Sequence, residues 1–479
     1  MALMDFMAPP QHKPEMAKEL VDKEYKQMRL KVFLGIFFGY AAYYLVRKNL
    51  SLAAPYMIGE GLIDKVGAGI AMSGIPIAYA VSKFIMGSIS DRSDARKFMT
   101  IGLVLSALVM LVAGLIPYPT GVEGNYSVTV GIMFVFMLFA GWLSGMGWPP
   151  CGRILAHWFS TNERSFKMSV WNTAHNIGNG TLGLLVSGGV IIFAMLGINS
   201  SESWRAAFIV PSLVALLFAL FCWWTIRDTP ESCGLPSIEK YRNDFTGAKS
   251  SKGEETKIPF RRLFVDYVFK NKMLWLIAFA NVFVYLIRYG IADWSPTYLS
   301  EVFKMSKPDC EFAYALREYA GIPGTILCGW LSTKFFQGRC APVNVIFMLV
   351  TTLGVLTYWQ APFVASMIGV DIKYIVYISL AVIGGSVYGP VAMIGVQALS
   401  LVPKNAAGTA AGFLGLFGYL IGDAVLSKIA IGYVAESSLG WDTVFEIFVL
   451  TSLLAAILCM VAWGKEKRMM EERIRAAKG

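Results

Sequence analysis

Histidine is nearly missing from this chain, with three in 479 residues, and charge is thin at 15% against 56% hydrophobic residues. The seven cysteines, spread from Cys151 to Cys459, lack the paired spacing of a zinc site or a disulfide framework. These shortages exclude a His- or Cys-rich metal centre and leave cysteine as a small apolar packing residue. No nucleophile and base stand at credible spacing, so a membrane phosphatase lacks support. The first stretch of the chain mixes Lys13, Lys18, Lys23, Lys26, Arg29 and Lys31 with acids and holds no apolar core before a cleavage site. The first span is therefore expected to be an uncleaved anchor. The net charge of +10 would suit nucleic acid, but no basic stripe is interleaved with aromatics. The cations gather instead in short segments between apolar runs, where they set topology.

What is abundant is apolar sequence of membrane-spanning length. Breaks in the hydropathy predict twelve spans, near 30–57, 66–90, 97–117, 127–149, 164–196, 205–226, 272–299, 310–334, 341–361, 374–400, 404–435 and 441–464. Lys and Arg are dense at the N-terminus, at Arg92/Arg96/Lys97, Arg153/Arg164/Lys167, 227–271, Lys334/Arg339, Lys404 and Lys465/Lys467/Arg468. The alternate connections are poor in them, so both termini are expected in the cytoplasm. One long polar interruption separates six spans from six. The expected domains are residues 1–230, a cytoplasmic linker 231–270 and residues 271–479.

Two arginines lie deep in apolar runs. Arg47 and Arg288 each fall about 15 residues into a span, roughly 22 Å at 1.5 Å per residue, inside a hydrocarbon layer of about 30 Å. An intramembrane charge is costly and marks a substrate or ion path. Both arginines close a Tyr-x-x-Arg pattern, Tyr44 to Arg47 and Tyr285 to Arg288, and 288 − 47 = 241 residues separate them. Gly87 and Gly329 (offset 242) and Pro149 and Pro390 (offset 241) repeat with them. Two parallel six-span halves facing a central path are the layout of a large class of secondary transporters. A guanidinium offers a fork of donors matched to phosphate or carboxylate oxygens. The plain alternative is neutralisation by Asp293 or Glu318.

Other polar residues sit in the same runs. Lys48 follows Arg47 about 100° round a helix, so it is expected to face an acid such as Asp293 or Glu318. Lys83 either reaches for the interface or faces a cavity, where Glu318 would be a breakable partner. A free imidazole titrates at about 6.5, so His175 is expected to sense or share the proton of a phosphate monoester. Tyr40, Tyr44, Tyr79, Tyr285, Tyr388 and Tyr419 offer hydroxyl donors. Asp423 and Lys428 are five apart, about 140° round an α-helix, a poor spacing for an intrahelical pair. Arg317 beside Glu318 is a further unexplained charge.

The stretches GIFFGYAAYYLVRKN, IAYAVSKFIMGSISDRS, GWLSGMGWPPCGR, VWNTAHNIG, RDTPESCGLP, NVFVYLIRYGIADWSPTYL, EYAGIPGTILCGW and PKNAAGTAAGFLGLFGYL resemble, in order and over residues 25–465, the organophosphate:phosphate antiporters of the major facilitator superfamily. The resemblance implies an all-α membrane fold of twelve helices in two pseudo-symmetric halves. It implies exchange of external glycerol 3-phosphate for internal inorganic phosphate across a bacterial inner membrane, by a monomer with no cofactor and no metal. It assigns phosphate binding to Arg47 and Arg288, with Lys83 and His175. Tyr40, Tyr44, Tyr79, Tyr285, Tyr388 and Tyr419 would line the path, and Lys48, Asp293 and Glu318 would form gating ion pairs. Asp423 and Lys428 depart from the glycerol-3-phosphate branch, look closer to the hexose-phosphate branch, and are expected to set substrate choice. Arg317, Asn179 and Thr333 depart as well. A sugar-phosphate sensor of the same fold is the competing expectation, since a receptor would keep these residues without accumulating substrate.

Overall fold

The computed structural model describes residues 6–119, 125–243, 263–402 and 407–478. Its regular elements are helices. Ten of them are long and apolar enough to cross a membrane: α1 (Lys18–Gly59), α3 (Ala95–Leu115), α4 (Ser127–Trp158), α5 (Phe166–Met195), α6 (Ser200–Thr225), α7 (Lys272–Glu301), α9 (Ala341–Trp359), α10 (Ile372–Ser400), α11 (Thr409–Glu436) and α12 (Gly440–Lys465). Two more, α2 (Lys65–Ser90) and α8 (Lys307–Phe336), have 26 and 30 residues and complete the twelve runs. Each begins or ends where local chemistry dictates. Asp94 caps α3 by accepting from the Arg96 N–H at 2.9 Å, and Ser306 caps α8 through the Asp309 N–H at 3.3 Å. Gln337 closes α8 in the left-handed conformation at φ 55°.

The described chain packs as two compact units, residues 1–49, 78–117 and 135–256 in one and 50–77, 118–134 and 257–479 in the other. In the first unit α1 rests on α5 and α6. Gly178 of α5 permits this, because a Cβ there would meet the Ala41 carbonyl oxygen at 2.2 Å and the Tyr44 Cβ at 2.9 Å. In the second, Gly422 of α11 meets α7 in the same way, at 2.6 Å from the Val282 carbonyl oxygen and 2.9 Å from the Tyr285 Cβ. The contacted residues repeat at the expected offset, 282 − 41 = 285 − 44 = 241. Each unit thus brings a glycine against the turn that precedes its buried arginine.

The start of the linker is part of the first unit. Arg153 Nη2 donates to Asp228 at 2.9 Å, and Tyr25 stacks on Tyr241 with centroids 3.9 Å apart. Burial pushes the Asp228 carboxyl above its ordinary value, against the pull of the Ala95 N–H and Arg153. Residues 244–262 of the expected linker lie outside the described residues. The seven cysteines are free thiols, all buried except the half-buried Cys233.

Candidate functional site

In the first unit, Arg47 occupies a turn at 46–48 that breaks α1 into Lys18–Leu45 and Asn49–Gly59. Asn49 Nδ2 stitches the break by donating to the carbonyls of Leu45 at 2.9 Å and Ala207 at 2.7 Å. Interrupted helices at membrane depth are tolerated where protein buries the freed backbone groups. The break also removes the helical rotation expected between Arg47 and Lys48, and both side chains are buried. The Arg47 guanidinium lies 4.1 Å from the Tyr79 ring centroid and 5.3 Å from that of Tyr44. The Tyr44 hydroxyl is 3.4 Å from that of Tyr40, and its ring lies 5.7 Å from the His175 ring. His175 Nδ1 meets the Asn172 carbonyl oxygen. Tyr40 packs on Trp171 at 4.5 Å. Five residues expected from the sequence therefore form one connected patch. Lys83 is exposed on α2, one turn beyond Tyr79, with its ammonium 5.8 Å from the Trp148 ring centroid.

In the second unit, α7 presents Tyr285, Arg288, Tyr289 and Asp293, all buried. The Arg288 guanidinium is ringed by aromatic faces, at 4.6 Å from Tyr388, 4.7 Å from Tyr289 and 6.0 Å from Tyr285. Tyr419 closes the cluster, 5.2 Å from Tyr285 and 6.4 Å from Tyr289. Among the described residues no carboxylate lies within ion-pairing distance of Arg288, and its Nε has no hydrogen-bond partner. Desolvated cation–π contacts contribute up to about 2 kcal/mol each, against a few kcal/mol for a guanidinium at mid-membrane depth. The rings hold the charge without neutralising it. An anion entering this cluster would find an unshared fork of donors.

The two acids that sequence reasoning offered as neutralising partners are engaged elsewhere in this unit. Asp293 accepts from Ser51 at 2.8 Å and pairs with Lys428 at 2.8 Å. Glu318 pairs with Arg317 at 2.5 Å and accepts from the Tyr388 hydroxyl. Lys428 also pairs with Asp423, which corrects the expectation that a spacing of five is poor for an intrahelical pair. The reason lies in the backbone: Leu416–Ala430 is a π-helix. With i→i+5 hydrogen bonds, residues five apart fall on one face. The glycines of this segment, Gly418 and Gly422, let it lie against α7. Tyr289, Ser51 and Trp171 were missed from the sequence. Tyr289 could have been found, since it adjoins Arg288, whereas the other two depend on tertiary packing.

Among the described residues no group of three His, Cys, Asp or Glu side chains could hold a metal ion. Each unit gathers a buried guanidinium and tyrosine rings, donor types that suit an anion.

The Major Facilitator Superfamily family matches residues 36–427. A glycerol-3-phosphate transporter of Bacillus subtilis (strain 168) is 44% identical, over 97% of this chain and 99% of its own length. One from Haemophilus influenzae (strain ATCC 51907 / DSM 11121 / KW20 / Rd) is 45% identical, over 96% and 97% respectively. Among solved structures, a bacterial homologue of the human lysosomal transporter Spinster, inward-facing and unoccupied, aligns with a TM-score of 0.67 at 16% identity, covering 91% of this chain and 97% of that one. That likeness concerns the fold.

Proposed function

This chain belongs to the major facilitator superfamily, and on that premise we propose that it exchanges an external organophosphate, glycerol 3-phosphate, for internal inorganic phosphate by alternating access. One observation carries the reading: Arg288 is a buried guanidinium held by three tyrosine rings with no carboxylate at ion-pairing distance among the described residues. A permanently charged group kept unneutralised in an apolar span needs an anionic ligand that comes and goes. The similarity to two glycerol-3-phosphate transporters supports the choice of ligand.

In this reading Arg47 and Arg288 each offer a guanidinium fork to one phosphate dianion, one from residues 1–230 and one from residues 271–479. Lys83 and His175 assist, and Tyr40, Tyr44, Tyr79, Tyr285, Tyr388 and Tyr419 supply hydroxyls along the path. Lys48, Asp293 and Glu318 are charges whose pairing changes as the carrier rocks. Asp423 and Lys428 bear on the organic half of the substrate. The carrier works as a monomer in a bacterial inner membrane with both termini in the cytoplasm. Loaded return enforces exchange, and no chemical step is involved.

The test is phosphate exchange by purified protein in liposomes. Arg288→Lys keeps the charge but not the bidentate fork, so exchange is expected to fall at least about a hundredfold, two lost charged hydrogen bonds at roughly 1.5 kcal/mol each. Thermal unfolding near that of the unsubstituted protein would show that the variant folds. Exchange at the unsubstituted rate rejects the role of Arg288.

A further inference from the structure

We propose that Arg317, fully buried on α8, is a positioning residue for Arg288: it holds Glu318 away from the Arg288 guanidinium and so keeps that guanidinium available to phosphate. The inference rests on the reading of Arg288 as a phosphate site and names the group that makes such a site workable.

The geometry is a closed circuit through three helices. Arg317 Nη1 donates to Glu318 Oε1 at 2.5 Å. Its Nη2 donates to the backbone carbonyl of Arg288 at 2.6 Å. The other Glu318 oxygen accepts from the Tyr388 hydroxyl. The Tyr388 ring then faces both guanidiniums, with Arg288 Cζ at 4.6 Å and Arg317 Cζ at 5.7 Å from its centroid. The circuit therefore leaves the Arg288 backbone on α7, passes through Arg317 and Glu318 on α8, and returns through Tyr388 on α10 to the Arg288 side chain.

The packing fixes where this circuit can sit. A Cβ on Gly384 would stand 2.0 Å from the Arg317 carbonyl oxygen, so α8 and α10 touch backbone to backbone there. Tyr388 is four residues on from Gly384, one turn along the same face of α10. The close approach places the Tyr388 hydroxyl at Glu318 and its ring beneath Arg288.

Electrostatics says why a second arginine is needed. Glu318 is as buried as Arg288, with exposures of 1% and 6%, and one tyrosine ring lies between them. Without the Arg317 contact the Glu318 carboxylate would be drawn toward the Arg288 guanidinium, because an undercompensated buried charge is strongly unfavourable. Such a pair would compete with phosphate for the same fork. Arg317 satisfies Glu318 from the adjacent position in sequence, and its second amino group ties the arrangement to the Arg288 backbone. Of the three buried cations of the unit, Arg288, Arg317 and Lys428, only Arg288 is left without a carboxylate contact among the described residues.

The test is equilibrium binding of radiolabelled inorganic phosphate to purified full-length protein in detergent, with thermal unfolding recorded for each variant. Arg317→Gln removes the contact that holds Glu318 off Arg288, and phosphate affinity is expected to fall about tenfold or more, the equivalent of one charged hydrogen bond. Adding Glu318→Gln removes the competitor and is expected to restore affinity to within about threefold of the unsubstituted protein, well under one such bond. A merely structural arginine would give no such rescue. If Arg317→Gln does not fold, Arg317→Lys carries the test: one ammonium cannot span both Glu318 and the Arg288 carbonyl and so holds Glu318 less firmly, phosphate affinity is expected to fall about threefold or more, and adding Glu318→Gln is expected to restore it. Unchanged binding in Arg317→Gln, or in Arg317→Lys where only that variant folds, overturns the inference. So does a loss that Glu318→Gln fails to relieve. If Arg288→Lys binds phosphate normally, the reading beneath it has failed; if Arg288→Lys abolishes binding while Arg317→Gln leaves it intact, the inference alone has failed.

Discussion

Lys428 shows how much a single buried ammonium carries. It faces two carboxylates, Asp293 on α7 and Asp423 on its own helix, and all three are buried. Removing the lysine takes the ammonium from both carboxylates, while removing Asp423 leaves the 2.8 Å pair with Asp293 in place. Lys428→Met should therefore destabilise by about 3–5 kcal/mol, the usual consequence of orphaning a buried ion, and Asp423→Asn by about 1 kcal/mol. The double substitution should unfold at a higher temperature than Lys428→Met alone, because one of the two carboxylates that lost the ammonium is gone. Midpoints of thermal unfolding in detergent decide the order, and equal midpoints for the two single variants would refute the bridging role. At this scale the sequence was legible where a charge sits deep in an apolar run, as with Arg47 and Arg288. It was not legible for Asp423 and Lys428, because α-helical periodicity separates residues that a π-helix brings together. Nor did it tell which acid would choose which cation, a matter of distances between helices.

At the scale of elements, all twelve apolar runs are helices, and most ends agree to within a few residues, since burial in lipid obliges each run to satisfy its own backbone. The differences lie where polar sequence continues a helix. α1 starts at Lys18 and not near 30 because Tyr25 is buried against Trp158 and Tyr241. Close contacts between helices are the other feature hidden from the sequence, since the chain has 46 glycines and only some of them face a neighbouring backbone. On α8 the contrast is testable. A Cβ on Gly324 would lie 1.8 Å from the Gly385 carbonyl oxygen, whereas Gly329 has nothing nearer than 4.0 Å. Backbone cannot rotate aside as a side chain can, so Gly324→Ala should cost about 1–3 kcal/mol through overpacking. Gly329→Ala should be neutral or should stabilise by up to about 1 kcal/mol, the helix preference for alanine over glycine. Unfolding midpoints that move alike in the two variants would remove close packing of α8 on α10 from the account. Gly87 and Gly329, paired by sequence offset, both lack close neighbours.

For the whole molecule, the alternation of Lys and Arg between connections implies that an even number of spans returns the chain to its starting side. The first unit bears on this directly, because after its six spans the chain packs against its own N-terminal segment. The Lys13 N–H donates to the Glu231 carbonyl at 3.0 Å, and the Met16 N–H to that of Gly234 at 2.9 Å. Residues 13–16 and 231–234 therefore lie side by side, and on the orientation proposed above, which rests on the density of cations around them, they share the cytoplasmic face. Cys233 falls within this segment, and it is half-buried where the other six thiols are buried. A brief exposure to a membrane-impermeant maleimide should modify inside-out vesicles at Cys233 and leave right-side-out vesicles unmodified, with one adduct by mass and none in a Cys233→Ser variant. Labelling of Cys233 from the outside would place both the N-terminus and the linker in the periplasm and invert the direction in which phosphate and organophosphate are exchanged.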